Sequence, residues 1–288
     1  MRARLADRSG FVERDGVRLG YEVFGDGERT ILLLPTWTII HSRFWKMQVP
    51  YLSRRYRVIT YDGPGNGRSD RTTETQRYNP DAYAEDAIAV LDECGVDGTV
   101  VVGLSLGAAY AVRLARRVPE RVNGLAMIGP SIPLTPASPE RAAIFENFTE
   151  PYPEDVTYWG KYNAAYWKDH YDDFARFFFG QCFNESHSTK PIEDSVGWAG
   201  ETNADVLLAE AFKSLPDEPW AEAVAALACP VLVIHGTRDA ISPHERGVEA
   251  ARLSKGRLLT IQGSGHIPNV RDPVKVNLAI RDFVESLP

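Results

Sequence analysis

The chain reads as an α/β protein, a mostly parallel sheet with helices on both faces, and three observations predict this. Short apolar runs, often β-branched, recur at 31–34, 57–61, 99–102 and 231–234. Runs of that length suit strands buried on both faces. Segments with helical spacing separate them. Near the middle, Gly103-Leu104-Ser105-Leu106-Gly107 joins a buried run to an alanine-rich stretch, a strand–turn–helix junction.

Taken in order, strands are expected over 11–14 and 17–24, joined at Asp15-Gly16, a hairpin turn signal. The run Ile31-Leu32-Leu33-Leu34 stops at Pro35 as a buried strand would. Helix-like residues extend from about 41 to 54, ahead of the strand 57–61. Residues 81–93 are expected to be helical, because Ala84, Ala87, Ile88 and Leu91 recur on one face. The strand 99–102, the serine turn, a helix over 108–115 and a strand over 122–128 follow.

The rhythm then breaks. Pro130, Pro133, Pro136 and Pro139 rule out a simple continuation, and a stretch dense in aromatics follows, Trp159 and Trp167 among them. Alternation resumes with a strand at 231–234, a helix from about His244, the strand 257–261 and a closing helix from Pro273. The expected organisation is a core of residues 1–132 and 226–288 with a helical cap, 133–225, inserted over the active site. A helical subdomain packed far from the chemistry is the alternative.

Composition narrows the function classes. The chain has 288 residues, 44% of them hydrophobic, enough for a large core. A formal charge of −7 leaves no basic footprint for nucleic acid. No apolar run reaches the ~18 residues needed to span a membrane. The start, Met1-Arg2-Ala3-Arg4-Leu5-Ala6-Asp7-Arg8, has charge without an apolar stretch behind it, so no secretory signal is expected. Cys94, Cys182 and Cys229 are scattered and odd in number, which suggests free thiols and no metal site. A cytoplasmic protein fits, and no metal or organic cofactor is expected.

A serine hydroxyl becomes a nucleophile only when a base takes its proton. Ser105 sits where a strand turns sharply into a helix, and its flanking glycines leave room for that turn. Six histidines are available, and His266 is the expected base. It lies in Gly263-Ser264-Gly265-His266, the loop after the last strand, which opens at the same carboxyl edge of the sheet. His235 ends a buried strand and is assigned a structural part; His170 and His187 fall in the cap, and His244 starts a helix. The imidazole needs an acid to orient it. Asp239, in His235-Gly236-Thr237-Arg238-Asp239, follows a sheet strand, and Ser105, Asp239, His266 is the order of a nucleophile-elbow enzyme. Asp272, just before Pro273, is explained by helix N-capping, and Gly129-Pro130-Ser131 carries no carboxylate.

These motifs, together with Tyr61-Asp62-Gly63-Pro64-Gly65-Asn66-Gly67-Arg68-Ser69-Asp70, resemble those of the α/β-hydrolase superfamily over nearly all of the chain except the cap. The resemblance implies an eight-stranded, mostly parallel sheet, with the cap inserted after the sixth strand. Many relatives carry His-Gly after the third strand, where this chain has Pro35-Thr36-Trp37. Mapped by position, the backbone amides of Trp37 and Leu106 would form the oxyanion hole. Residues 35–46 and 181–190 are also similar to a group of actinobacterial hydrolases with a Pro-Thr-Trp oxyanion loop.

An aromatic cap suggests an apolar pocket, to which Thr36, His41, Trp159 and Trp167 are assigned. Residues 133–225 hold seventeen acidic and six basic side chains, a balance that disfavours acidic carrier proteins as partners. The expected function is a serine hydrolase of a small or medium apolar carboxylic ester, acting through an acyl-enzyme on a small-molecule substrate. Lactone, amide or carbon–carbon bond hydrolysis and acyl transfer could use the same three residues. A ligand-binding receptor or pseudoenzyme on the same fold is the rival of another class. Dehalogenase and standard epoxide-hydrolase chemistry are disfavoured, because they place a carboxylate where Ser105 stands.

Overall fold

The computed structural model describes residues 4–137 and 139–288, with the backbone alone at 140 and 141. Residues 1–3, on which the reading of the N-terminus partly rests, and Ser138 in the expected cap lie outside the described residues.

Eight strands form one sheet: β1 (Arg8–Arg14), β2 (Val17–Phe24), β3 (Thr30–Leu33), β4 (Arg57–Tyr61), β5 (Thr99–Leu104), β6 (Val122–Ile128), β7 (Val231–Gly236) and β8 (Arg257–Ile261). Across the sheet they run β1-β2-β4-β3-β5-β6-β7-β8. β2 is antiparallel to both of its neighbours, β1 and β4. All pairings from β4 through β8 are parallel. The β1–β2 hairpin turns at Asp15 and Gly16, both at positive φ (+50° and +75°), as its tight turn requires.

Strand side chains alternate between faces, and the apolar clusters on the two faces follow that period of two. Ile31, Leu33, Val100 and Val102 pack on one face, against Ile280, Phe283 and Val284 of the closing helix Pro273–Ser286. Leu32, Leu34 and Val101 pack on the other, against Leu91 of helix Pro80–Glu93 and Val112 of helix Leu106–Arg117. A parallel sheet buried on both sides needs such continuous apolar strands.

Two local expectations change. The helical stretch from 41 to 54 is two short pieces, a 3-10 turn Ser42–Met47 and a helix Val49–Leu52. The break falls at Gln48, whose buried amide donates to the Asn269 carbonyl (2.8 Å) and to Asn277 Oδ1 (3.0 Å), while Pro50 opens the new turn without an N–H to place. Asp272 stands at the N-cap of Pro273–Ser286 but makes no side-chain cap bond. Its Oδ1 accepts from Lys275 Nζ instead (3.3 Å).

Between β6 and β7 the chain leaves the sheet and forms helices Pro139–Glu146, Ala164–Asp169, Tyr171–Cys182, Thr189–Ala199 and Ala204–Ala211. Trp167, Phe174, Phe178 and Phe179 from this inserted cap belong to the same apolar cluster as Val100 and Val102 of the sheet. Cap and sheet are packed as one core. Helix Trp220–Ala225 falls inside the expected cap range, yet it packs on helices Leu106–Arg117 and His244–Ser254 of the core. The three cysteines are free thiols. Among the described residues no helix is long and apolar enough to cross a membrane, and no group of side chains could hold a metal ion.

Two glycines separate close approach from mere tolerance. A Cβ on Gly103 would collide with the Gly107 carbonyl, whereas one on Gly180, inside helix Tyr171–Cys182, meets nothing within 4 Å. Gly103→Ala is therefore expected to destabilise by about 2–3 kcal/mol. Gly180→Ala is expected to stabilise by about 0.5–1 kcal/mol. Urea unfolding of both variants checks the pair, and equal midpoints would contradict the packing described.

Candidate active site

The Gly-x-Ser-x-Gly turn forms between β5 and helix Leu106–Arg117, with Ser105 at φ +57° and ψ −118°. That left-handed backbone is unfavourable for a residue with a Cβ and persists only when the surroundings enforce it. Here they do. Ser105 N–H donates to the Ile128 carbonyl at the end of β6 (2.9 Å), and its own carbonyl accepts from the N–H groups of Ala108 and Ser131 (3.1 Å each). A Cβ on Gly107 would strike the Pro35 carbonyl, so the loop leaving β3 presses directly on the elbow. The Ser105 hydroxyl is half-buried, with Ser131 Oγ 3.0 Å away.

His266 and Asp239 come from the loops after β8 and β7. His266 is 2% exposed, and its Nδ1 lies 2.7 Å from Asp239 Oδ2. The Asp239 side chain is fully buried, and each oxygen is used twice. Oδ2 also meets His235 Nε2 (3.0 Å), while Oδ1 accepts from the N–H groups of Ile241 and Ser242 (2.8 Å each). Burial alone would raise the Asp239 carboxyl. The charge of His266 and the hydrogen bonds from His235 and His266 outweigh it and hold the carboxyl below the ordinary aspartate range. With Asp239 on Nδ1, Nε2 of His266 is the nitrogen left for chemistry.

Ser105 and His266 open on one cavity of about 430 Å³, within the range of small-molecule sites. Thr36, Trp37 and Leu106 line it with the serine, and Phe148, Tyr162 and Phe178 from the segment between β6 and β7 are among its aromatic walls. Leu106 is the first residue of its helix, so its N–H is one of the four without an intrahelical acceptor. Thr36 Oγ1 is buried in this wall without a hydrogen-bond partner. Lys213 and Arg246 are the charged side chains among the described lining residues.

The residues assigned to the pocket from sequence divide. Thr36 and Trp159 line the cavity; His41 and Trp167 do not. His41 is buried at the seam between core and cap, 3.4 Å from Glu201 Oε1 and edge-on to Trp198. Burial pushes its imidazole below the ordinary histidine value, against the pull of Asp62 and Glu201. Trp167 is one layer behind the wall, its ring 4.9 Å from Tyr162 and 5.0 Å from Phe148.

Two further residues reach the catalytic groups. Ser131 Oγ reaches the nucleophile, and His235, expected to play a structural part, shares the acid. Ser131 meets Ser105 from 26 positions away, a pairing that local sequence does not report. The spacing His235-x-x-x-Asp239 was the available signal for the second.

The comparisons with known proteins agree with this architecture. A family model described as alpha/beta hydrolase fold matches residues 29–273. The chain belongs to this family. A non-heme haloperoxidase of Rhodococcus erythropolis is 29% identical over 285 residues, covering 94% of this chain and 97% of the relative. A pimeloyl-[acyl-carrier protein] methyl ester esterase of Aromatoleum aromaticum is 29% identical over 268 residues, 89% of this chain and 98% of the relative. Among solved structures, a hydrolase from Pseudomonas aeruginosa superimposes with a TM-score of 0.76 at 26% identity, covering 97% of this chain and 99% of that one. As a member of the alpha/beta hydrolase family the protein is an enzyme, a hydrolase.

The depressed Asp239 carboxyl carries a pH dependence. Its folded-state value lies below its unfolded one, so its contribution to stability is complete above about pH 4, the unperturbed aspartate range, and is lost as pH falls below it. The melting-temperature gap between wild type and Asp239→Asn is expected to be wide at neutral pH and to narrow below about pH 4. A gap that widened on acidification would contradict this sign.

Proposed function

We propose that the enzyme is a serine hydrolase that cleaves a small or medium-sized apolar carboxylic ester through an acyl-enzyme. One observation carries the reading: Ser105 and His266 open on the same aromatic cavity, while His266 Nδ1 is bonded to the buried Asp239. Nε2 of His266 takes the Ser105 proton as Oγ bonds to the ester carbonyl carbon. The oxyanion formed accepts hydrogen bonds from the backbone amides of Trp37 and Leu106. Asp239 stabilises the imidazolium, which then protonates the alcohol as its bond to the acyl carbon breaks. A water molecule, deprotonated by the same imidazole, attacks the acyl-enzyme; collapse releases the carboxylic acid and returns the proton to Ser105.

The walls support this substrate class. Phe145, Phe148, Tyr162 and Phe178 offer aromatic surface suited to an apolar acyl or alcohol group. The methyl ester esterase among the relatives is in keeping with an ester substrate. Removal of one oxyanion donor typically costs about 2.7–4 kcal/mol of barrier, so the set of the Pro35–Trp37 loop weighs heavily on turnover.

Two measurements test this. A fluorophosphonate probe is expected to label wild type and spare Ser105→Ala, with turnover in Ser105→Ala and His266→Ala reduced about 10⁴-fold or more. Folded wild-type protein that resists the probe would remove Ser105 as nucleophile. Across p-nitrophenyl esters from acetate to octanoate, kcat/KM is expected to climb with chain length until the cavity is filled. Turnover confined to charged or very short acyl groups would overturn the apolar assignment.

A further inference from the structure

We propose that Glu210, a cap residue, is a positioning residue that holds the oxyanion loop in register with the nucleophile's helix. The inference rests on the reading of Trp37 and Leu106 as oxyanion donors. Glu210 stands near the end of helix Ala204–Ala211 with no solvent exposure. Its Oε2 accepts from both the backbone N–H (2.9 Å) and the hydroxyl (2.8 Å) of Thr38, the residue after Trp37. Its Oε1 accepts from the Tyr110 hydroxyl (2.8 Å), on the same helix as Leu106. One carboxylate thus ties the loop that carries one donor to the helix that carries the other.

The neighbouring contacts make this tie a matter of orientation. The peptide between Trp37 and Thr38 is held at both ends, its N–H by Glu210 and its carbonyl by the N–H of Ile40 (3.2 Å). The Thr38 carbonyl accepts from Asn66 Nδ2 (2.7 Å). The preceding peptide, whose N–H is the proposed donor, is joined to that held plane at the Trp37 Cα, so only the two backbone dihedrals of Trp37 separate them. Tyr110 is itself immobilised, its ring stacked on Tyr83 at 3.9 Å and 5°. A carboxylate is costly to bury, and here the Lys213 ammonium bonds to the Glu210 backbone carbonyl (3.0 Å) rather than to its side chain. Both side-chain oxygens are taken, one by Thr38 and the other by Tyr110. The restraint on the Pro35–Trp37 loop thus comes from outside it, through the side chain of Glu210.

The test separates transition-state from ground-state effects in Glu210→Gln, which keeps the volume and disturbs the pattern of acceptors. The probe is an alkyl trifluoromethyl ketone, whose tetrahedral adduct with Ser105 places an oxyanion on the two amides. Per folded active site, kcat is expected to fall about 10- to 100-fold with KM within twofold of wild type, and ketone affinity to fall by the same factor. Thr38→Val should show a smaller loss of the same kind. A Glu210→Gln protein with wild-type ketone affinity and kcat, or one whose loss lies in KM alone, overturns the inference. If Glu210→Gln does not fold, Thr38→Val and Tyr110→Phe decide: parallel losses in kcat and ketone affinity support the tie, and wild-type values in both variants overturn it. Ser105→Ala is measured alongside. Persistent turnover there removes the nucleophile reading and this inference with it; an inactive Ser105→Ala beside an unaffected Glu210→Gln removes the inference alone.

Discussion

A carboxylate withdrawn from water must find all of its hydrogen bonds inside the protein, and Asp239 imposes that demand on the whole carboxyl edge of the sheet. Its four contacts come from His235 at the end of β7, from the backbone of Ile241 and Ser242, and from His266 beyond β8. Satisfying them brings the β7 and β8 loops together. Ser242 is fixed in turn by its hydroxyl on the Pro130 carbonyl (2.7 Å), which links the same cluster to the loop after β6 beside Ser105. The position of the base relative to the serine therefore follows from how one buried charge is accommodated.

The cap reinforces this arrangement from the other side. The Cys182 carbonyl accepts from the His266 N–H (3.2 Å), Glu185 Oε1 accepts from the Gly265 N–H (2.7 Å), and Asn184 Nδ2 donates to the Arg238 carbonyl (2.7 Å). These residues belong to the stretch 181–190, which in sequence is conspicuous only for its likeness to other hydrolases. Its polar side chains meet the loops of base and acid, while Phe178 and Phe179 of the preceding helix face the cavity. Aromatic packing and backbone hydrogen bonds thus act on the same few loops.

Much of this was legible because it is local. β-branched runs, one Asp-Gly hairpin and the Gly-x-Ser-x-Gly turn each declare themselves within a handful of residues, and they account for the strands and for Ser105. Asp239 and His266 could be singled out because each lies in a short loop directly after a strand. What could not be read depends on distant partners. Glu210 is 172 positions from Thr38, and nothing in Ala204–Ala211 distinguishes a buried glutamate from a solvated one. Trp167 and Trp159 are equally aromatic, yet one backs the cavity wall and the other forms it. The helical stretch expected from 41 to 54 is divided at Gln48, whose side chain is bonded to Asn269 and Asn277, more than two hundred positions away.

The shared apolar cluster and the polar ties from Glu210, Cys182, Asn184 and Glu185 bear on modularity. Insertions after the sixth strand invite exchange between relatives as a way to change specificity. In this protein such a graft would carry away the anchors of loops that belong to the core. A transplanted cap would need to bring matching partners for Thr38, Gly265 and Arg238, or those loops would have to travel with it.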